Sequence, residues 1–94
     1  MTVTIKFFGA LRHDSGKDTL TMECPKDVSL LDLVNTATLH SKTLRRNLLD
    51  EQLENPKPNA LILVNGREIS VLNGLQTRVK NGDEIVFVPV VHGG

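Results

Sequence analysis

The sequence predicts an α+β domain, a mixed sheet of about four to five strands packed against one main helix. Its opening and closing segments carry apolar residues with strand character. Between them lies a capped stretch of helical periodicity. A loop containing Pro56 and Pro58 then separates the helical region from further strand-like runs.

Size and composition narrow the function. A chain of 94 residues with 39% hydrophobic content supports one small domain and one modest core. Eleven basic residues balance eleven acidic ones, which argues against nucleic acid or a membrane surface as the main partner. No apolar run approaches the roughly 20 residues of a membrane span. Met1–Lys6 alternates like a strand and lacks the apolar stretch of a signal peptide. Cys24 is the lone cysteine, so no intramolecular disulfide is expected, which favours a reducing cytoplasm. Trp and Tyr are absent, so stacking on bases is not expected. His13, His40 and His92 lack metal-ligand spacing, and no G-x-x-x-x-G-K loop occurs. Neither a metal nor a bound cofactor is expected.

From Thr2 to Phe8, Val3, Ile5 and Phe7 alternate with Thr4, Lys6 and Phe8, as in a half-buried strand. Gly9–Gly16 reads as a turn region, with Asp14-Ser15-Gly16 supplying turn chemistry. Asp18–Cys24 alternates again, with Leu20 and Met22 on one face, so the two strands read as a hairpin. Pro25-Lys26-Asp27 breaks the second strand. Ser29 and Asp32 form a shortened capping box for a helix at about Leu30–Leu39. Leu30, Leu33, Val34 and Ala37 give that helix its apolar face.

Thr43–Leu53 reads as a second short helix, with Leu44, Leu48 and Leu49 underneath and Arg45 and Arg46 pointing outward. Residues 55–59 read as a loop, because each proline disfavours helix just before it. Ala60–Val64 is a continuous apolar run, which fits a central strand covered on both faces once a partner is bound. Asn65-Gly66 signals a hairpin leading to a short strand over Arg67–Val71. Asn73–Thr77 reads as a turn or single helical turn, and Asn81-Gly82-Asp83 launches the last strand. The first and last strands are expected side by side in mid-sheet, parallel, since a helix lies in their connection.

That last strand is the most informative stretch. Val86, Phe87, Val88, Val90 and Val91 form a β-prone run interrupted by Pro89, which has no N–H for a ladder. Beyond it come His92, Gly93 and Gly94, and glycine lets backbone enter places that any Cβ would block. The expected organisation is a domain over residues 1–88 and a flexible C-terminal tail over 89–94, which offers a terminal carboxylate to another protein.

The strand order and these residues resemble the β-grasp, or ubiquitin-like, sulfur carriers. Asn81–Gly94 is similar to the "DGDEV-F-PP-GG" ending of MoaD and ThiS proteins. Ile5–Arg12 resembles the opening strand of molybdopterin synthase small subunits. Val71–Thr77 followed by His92-Gly93-Gly94 is closer to ubiquitin-related modifiers of the Urm type and their archaeal relatives. Val90 stands where many molybdopterin-type carriers have a second proline, and His92 suits the Urm branch. Both move weight away from a dedicated molybdopterin synthase subunit.

The resemblance implies a carrier and substrate rather than a catalyst. A ubiquitin-activating-type enzyme, like MoeB or ThiF, would draw in the tail and adenylate the Gly94 carboxylate with its own ATP. A sulfur donor would then form a thiocarboxylate, serving tRNA thiolation or molybdenum cofactor synthesis. Alternatively a lysine of a target protein would capture the activated carbonyl as an isopeptide. The other readings are the small subunit beside a molybdopterin synthase large subunit, and a non-covalent β-grasp binding module whose tail is incidental.

Recognition also needs a surface. Strand alternation places Phe8, Leu61, Leu63, Val86 and Val88 together on the open sheet face as an exposed apolar patch, a common mark of protein binding. A register slip of one residue would invert that face. His92 is the tail residue expected to assist docking, and Arg12, Arg67 and Arg78 are candidate rim contacts.

Overall fold

The computed structural model describes residues 1–50 and 57–90. Strand β1 (Thr2–Phe7) pairs antiparallel with β2 (Thr19–Glu23) and parallel with β7 (Glu84–Pro89). β7 also pairs antiparallel with β5 (Ala60–Val64), which pairs in turn with the short β6 (Arg67–Glu68). The five-stranded order is therefore β2-β1-β7-β5-β6, with the two chain-end strands parallel in its centre, as expected.

Helix α2 (Leu30–Ala37) lies against this sheet and starts where the sequence predicts. Ser29 Oγ accepts from the Asp32 N–H at 3.1 Å, and the Ser29 N–H donates to Asp32 Oδ2 at 3.3 Å. The capping box is complete and satisfies two otherwise orphaned donor sites. The helix stops at Ala37, two residues short of expectation, where the Thr38 hydroxyl bonds back to the Val34 carbonyl at 2.8 Å. Leu39 is consequently left 72% exposed.

The core forms between the inner sheet face and the helices. Val3, Ile5, Phe7, Ile62, Val64, Ile85 and Phe87 face Leu30, Leu33 and Val34, and all are buried. Phe7 and Phe87 stack at its centre, with ring centroids 5.6 Å apart. Their strands carry them side by side, since Phe7 stands opposite Phe87 in the parallel register.

Several expectations need correction. Gly9–Gly16 is not only a turn, because Ala10–Ser15 forms a short helix, α1. Leu11 anchors it at 2% exposure, and Gly16 ends it in the left-handed conformation at φ 75°. α3 covers Lys42–Leu48, with Leu44 and Leu48 buried as expected, and residues 51–53 lie outside the described part. Arg45 does not simply point outward. Its Nη1 donates to Asn35 Oδ1 at 2.7 Å, tying α3 to α2, whereas Arg46 is exposed. Leu49–Asp50 and Lys57–Pro58 form a small ladder, β3 and β4, where a loop was expected at 57–58. The strand predicted over Arg67–Val71 pairs only at Arg67 and Glu68. Ile69–Val71 then tightens into a 3₁₀ turn that buries Ile69.

The hairpin at Asn65-Gly66 follows the sequence signal, with φ of 51° and 81° at its two residues. The predicted single turn is present at Gly74–Gln76. No described helix is long and apolar enough to cross a membrane.

Candidate functional site

The open sheet face is built by register. Leu61 stands opposite Val88, and Leu63 opposite Val86. Lys6 neighbours Val86 on the other side. Phe8 extends the parallel ladder by one step, its N–H donating to the Phe87 carbonyl at 3.0 Å. The alternation of each strand turns Ile62, Val64, Ile85 and Phe87 inward, which leaves Phe8, Leu61, Leu63, Val86 and Val88 outward together.

Phe8 is 50% exposed and Leu61 37%, while Leu63, Val86 and Val88 are half-buried by one another. The five side chains thus make one apolar surface next to the end of β7, on the face the sequence assigned them. Burial of such a surface on a partner is worth about 25 cal/mol per Å². Its lower margin is polar. Lys6 Nζ meets Glu84 Oε2 at 3.1 Å with both side chains well exposed, an arrangement that contributes little to stability.

Of the rim arginines, only Arg12 borders this surface. It shares a shallow concavity of about 250 Å³ with Phe8, Lys6 and Asp18. Arg67 and Arg78 sit elsewhere, around a separate hollow with Leu72, Lys80 and Asp83. The structure therefore removes both from the patch: Arg67 stands opposite the inward-facing Val64, and Arg78 donates to the Asp27 carbonyl at 3.0 Å.

Two residues missed by sequence reasoning fix the strand that carries the tail. Asp83 is 9% exposed and holds the base of β7. Its Oδ1 accepts from Asn65 Nδ2 at 2.9 Å and its Oδ2 from the Lys80 N–H at 2.7 Å. The Asp83 carbonyl receives the Thr4 N–H at 3.0 Å, joining the turn to β1. At the other end, Pro89 stands opposite Ala60 as the last residue of β7. Gly9 lies against it at φ 56° and ψ −138°, and a Cβ there would fall 2.8 Å from Pro89 Cγ. Only the glycine-proline pairing of two distant segments reveals this contact, although Gly9 after a strand is a signal of close backbone approach.

Gly9→Ala is expected to cost about 2 kcal/mol, from a backbone region that side chains avoid plus the clash. Pro89→Ala removes the clash but not the strain, so the double variant should lose less than the sum of the single losses. Urea denaturation of the four proteins checks this, and strict additivity would contradict the contact.

Val90 is 47% exposed, and His92, Gly93 and Gly94 lie outside the described residues. Cys24 is buried at the edge of the core. Burial pushes its thiol above the ordinary value, with Glu23 adding to the rise and the chain's amino terminus opposing it. At neutral pH it is a protonated core residue, not an activated nucleophile. Among the described residues no cluster of three or more His, Cys, Asp or Glu could hold a metal.

The comparisons with known proteins agree with this architecture. The model of the ThiS family matches residues 5–94. Small archaeal modifier protein 3 of Haloferax volcanii is 27% identical over 94 residues, which span the whole of both chains. The solution structure of small archaeal modifier protein 1 from Methanosarcina acetivorans has a TM-score of 0.80 and 31% identity, covering 99% of this chain and 96% of that one. That of the Haloferax volcanii HVO 2177 protein has a TM-score of 0.83 and 26% identity, covering 100% of this chain and 87% of that one. Two of these relatives are small archaeal modifier proteins. With an uninterrupted β-grasp sheet and a family match over nearly its full length, the chain belongs to the ThiS family and is a ubiquitin-like protein of the sulfur-carrier and modifier type.

Proposed function

We propose that the Gly94 carboxylate is the working group and that an adenylating enzyme of the ubiquitin-activating type is the first partner. A carboxylate is a poor acyl donor until it carries a good leaving group. Attack of the Gly94 oxygen on the α-phosphate of ATP releases pyrophosphate and leaves an acyl-adenylate. Hydrosulfide from a sulfur source then displaces AMP and leaves a thiocarboxylate, or the amine of a target lysine displaces AMP and leaves an isopeptide. ATP and the groups that clamp its phosphates belong to the partner. This chain supplies the tail and the docking face and holds no cofactor, working in a reducing cytoplasm.

The observation that carries this reading is the apolar face of Phe8, Leu61, Leu63, Val86 and Val88, which abuts the strand leading into the tail. A partner seated there is well placed to receive residues 91–94. The family match runs through residue 94 and supports the same assignment. Leu61→Asp places a charge on the face at one of its exposed side chains, without touching the core. It is expected to raise the KM for this protein in ATP–pyrophosphate exchange by about tenfold, a loss of roughly 1.4 kcal/mol of binding. The kcat should change little, because the tail is intact. An unchanged KM would remove the face from recognition. Deletion of Gly93 and Gly94 separates this function from a non-covalent module, which would keep its activity.

A further inference from the structure

The two outer edges of the sheet are unequal. β6 is two residues long and is blunted at once by the 3₁₀ turn at Ile69–Val71. β2 runs five residues, Thr19–Glu23, without a proline or a bulge. Its pairing with β1 uses the backbone of alternate residues. The Phe7 N–H donates to the Asp18 carbonyl at 2.9 Å and the Cys24 N–H to the Met1 carbonyl at 2.8 Å. By that parity the N–H and C=O groups of Thr19, Thr21 and Glu23 point away from the sheet. Such a row is a template for one more strand.

Beside this edge lies a cleft of about 360 Å³. Phe7, Leu20, Ala37 and Leu44 line it with apolar surface, and Lys17 and His40 stand at its rim. Neither rim residue forms an ion pair among the described residues. The acidic rim residue, Asp14, is already engaged by Asn47 Nδ2 at 2.6 Å. Asp18, next to Lys17 in the chain, is exposed and borders the concavity that also holds Arg12.

We propose that β2 is a second, non-covalent docking site, which takes an extended segment of a partner protein as a sixth strand. In an antiparallel addition, the residues opposite Leu20 and Met22 project on the helix side, over the cleft. Apolar side chains at those positions fill it, and a carboxylate at the segment's C-terminal end meets Lys17. A second copy of this chain fits poorly. Its own Leu20 and Met22 are already packed on its own core, so it would leave the cleft empty. The cleft lies on the helix side of the sheet and the apolar face on the other, with β1 between β2 and β7.

The probe is a capped hexapeptide that alternates threonine with valine and ends in aspartate, titrated into the ¹⁵N-labelled full chain. Expected are shifts and slowed exchange at the amides of Thr19, Thr21 and Glu23. Thr21→Pro removes an outward N–H and no bond to β1, so the spectrum should stay folded while affinity falls about tenfold. Lys17→Glu should weaken the aspartate peptide about threefold and favour a lysine-ended one. Wild-type affinity in Thr21→Pro overturns the proposal. So does an absence of shifts at millimolar peptide, or a shift map centred on Phe8 and Val88. A dimer seen by light scattering and dissolved by Thr21→Pro would give the edge to a second copy instead, and also overturns it.

Discussion

Gly94→Ala is expected to slow activation by about a hundredfold while leaving thermal unfolding unchanged. The proposed reaction needs a terminal carboxylate oxygen in line with the α-phosphate and its leaving pyrophosphate, inside a partner's narrow channel. A misplacement of about 1 Å at such a step can cost that much. A single methyl group on the last residue is enough to cause it, because a tail with no side chain is what allows close approach from all sides. β7, the last strand of the sheet, ends at Pro89, and the buried core residues run in sequence from Val3 to Phe87. Single-turnover adenylation, compared with urea denaturation of the same variant, separates the two effects. Normal adenylation would show that the partner does not read the tail closely.

Phe87→Ala is expected to act in the opposite way, on the mount rather than the tail. Phe87 is fully buried, stacks on Phe7 and sits in β7 between β1 and β5. Truncating a buried aromatic costs about 3–5 kcal/mol. A domain of this size has about 5–15 kcal/mol in total. The variant should therefore lie close to unfolding at ambient temperature, with a large fall in its urea midpoint. Phe87→Leu, which keeps most of the volume, should recover much of the loss. A cost under about 1 kcal/mol would mean that β7 is held by its ends, through Asp83 and Pro89, and not by the core.

These two residues also mark what could be read from the chain alone. Phe87 and its neighbours alternate so regularly that inward and outward faces follow from the sequence, and the parallel pairing of β1 with β7 follows from the helix in their connection. Ser29 and Asp32 carry the capping-box chemistry in their spacing, and Asn65-Gly66 carries a turn that demands positive φ at both positions. Local chemistry decided those elements. The open face was legible for the same reason, because the five apolar residues keep a period of two through three strands.

The rest depends on contacts between distant segments. α1 is less than two turns long and has one buried anchor, Leu11, so its periodicity is too short to see. Arg45 is drawn inward by Asn35 on another helix, which no pattern within Lys42–Leu48 announces. Ile69 leaves the expected strand because burial outweighs further pairing at a sheet edge. Gly9 and Pro89 meet only once β1 and β7 lie side by side. Arg67 falls away from the docking face because it pairs with the inward-facing Val64, and Arg78 because it reaches the Asp27 carbonyl.

The claim that a separate enzyme energises the Gly94 carboxylate is met most directly by the intact mass of this protein. It should be measured after incubation with ATP, an adenylating enzyme of the ubiquitin-activating type and a sulfur source. The account predicts a gain equal to the replacement of one oxygen by sulfur, localised to the C-terminal fragment and absent without ATP. An unchanged mass with an enzyme shown to bind the protein, or a gain located on Cys24 instead, would contradict it.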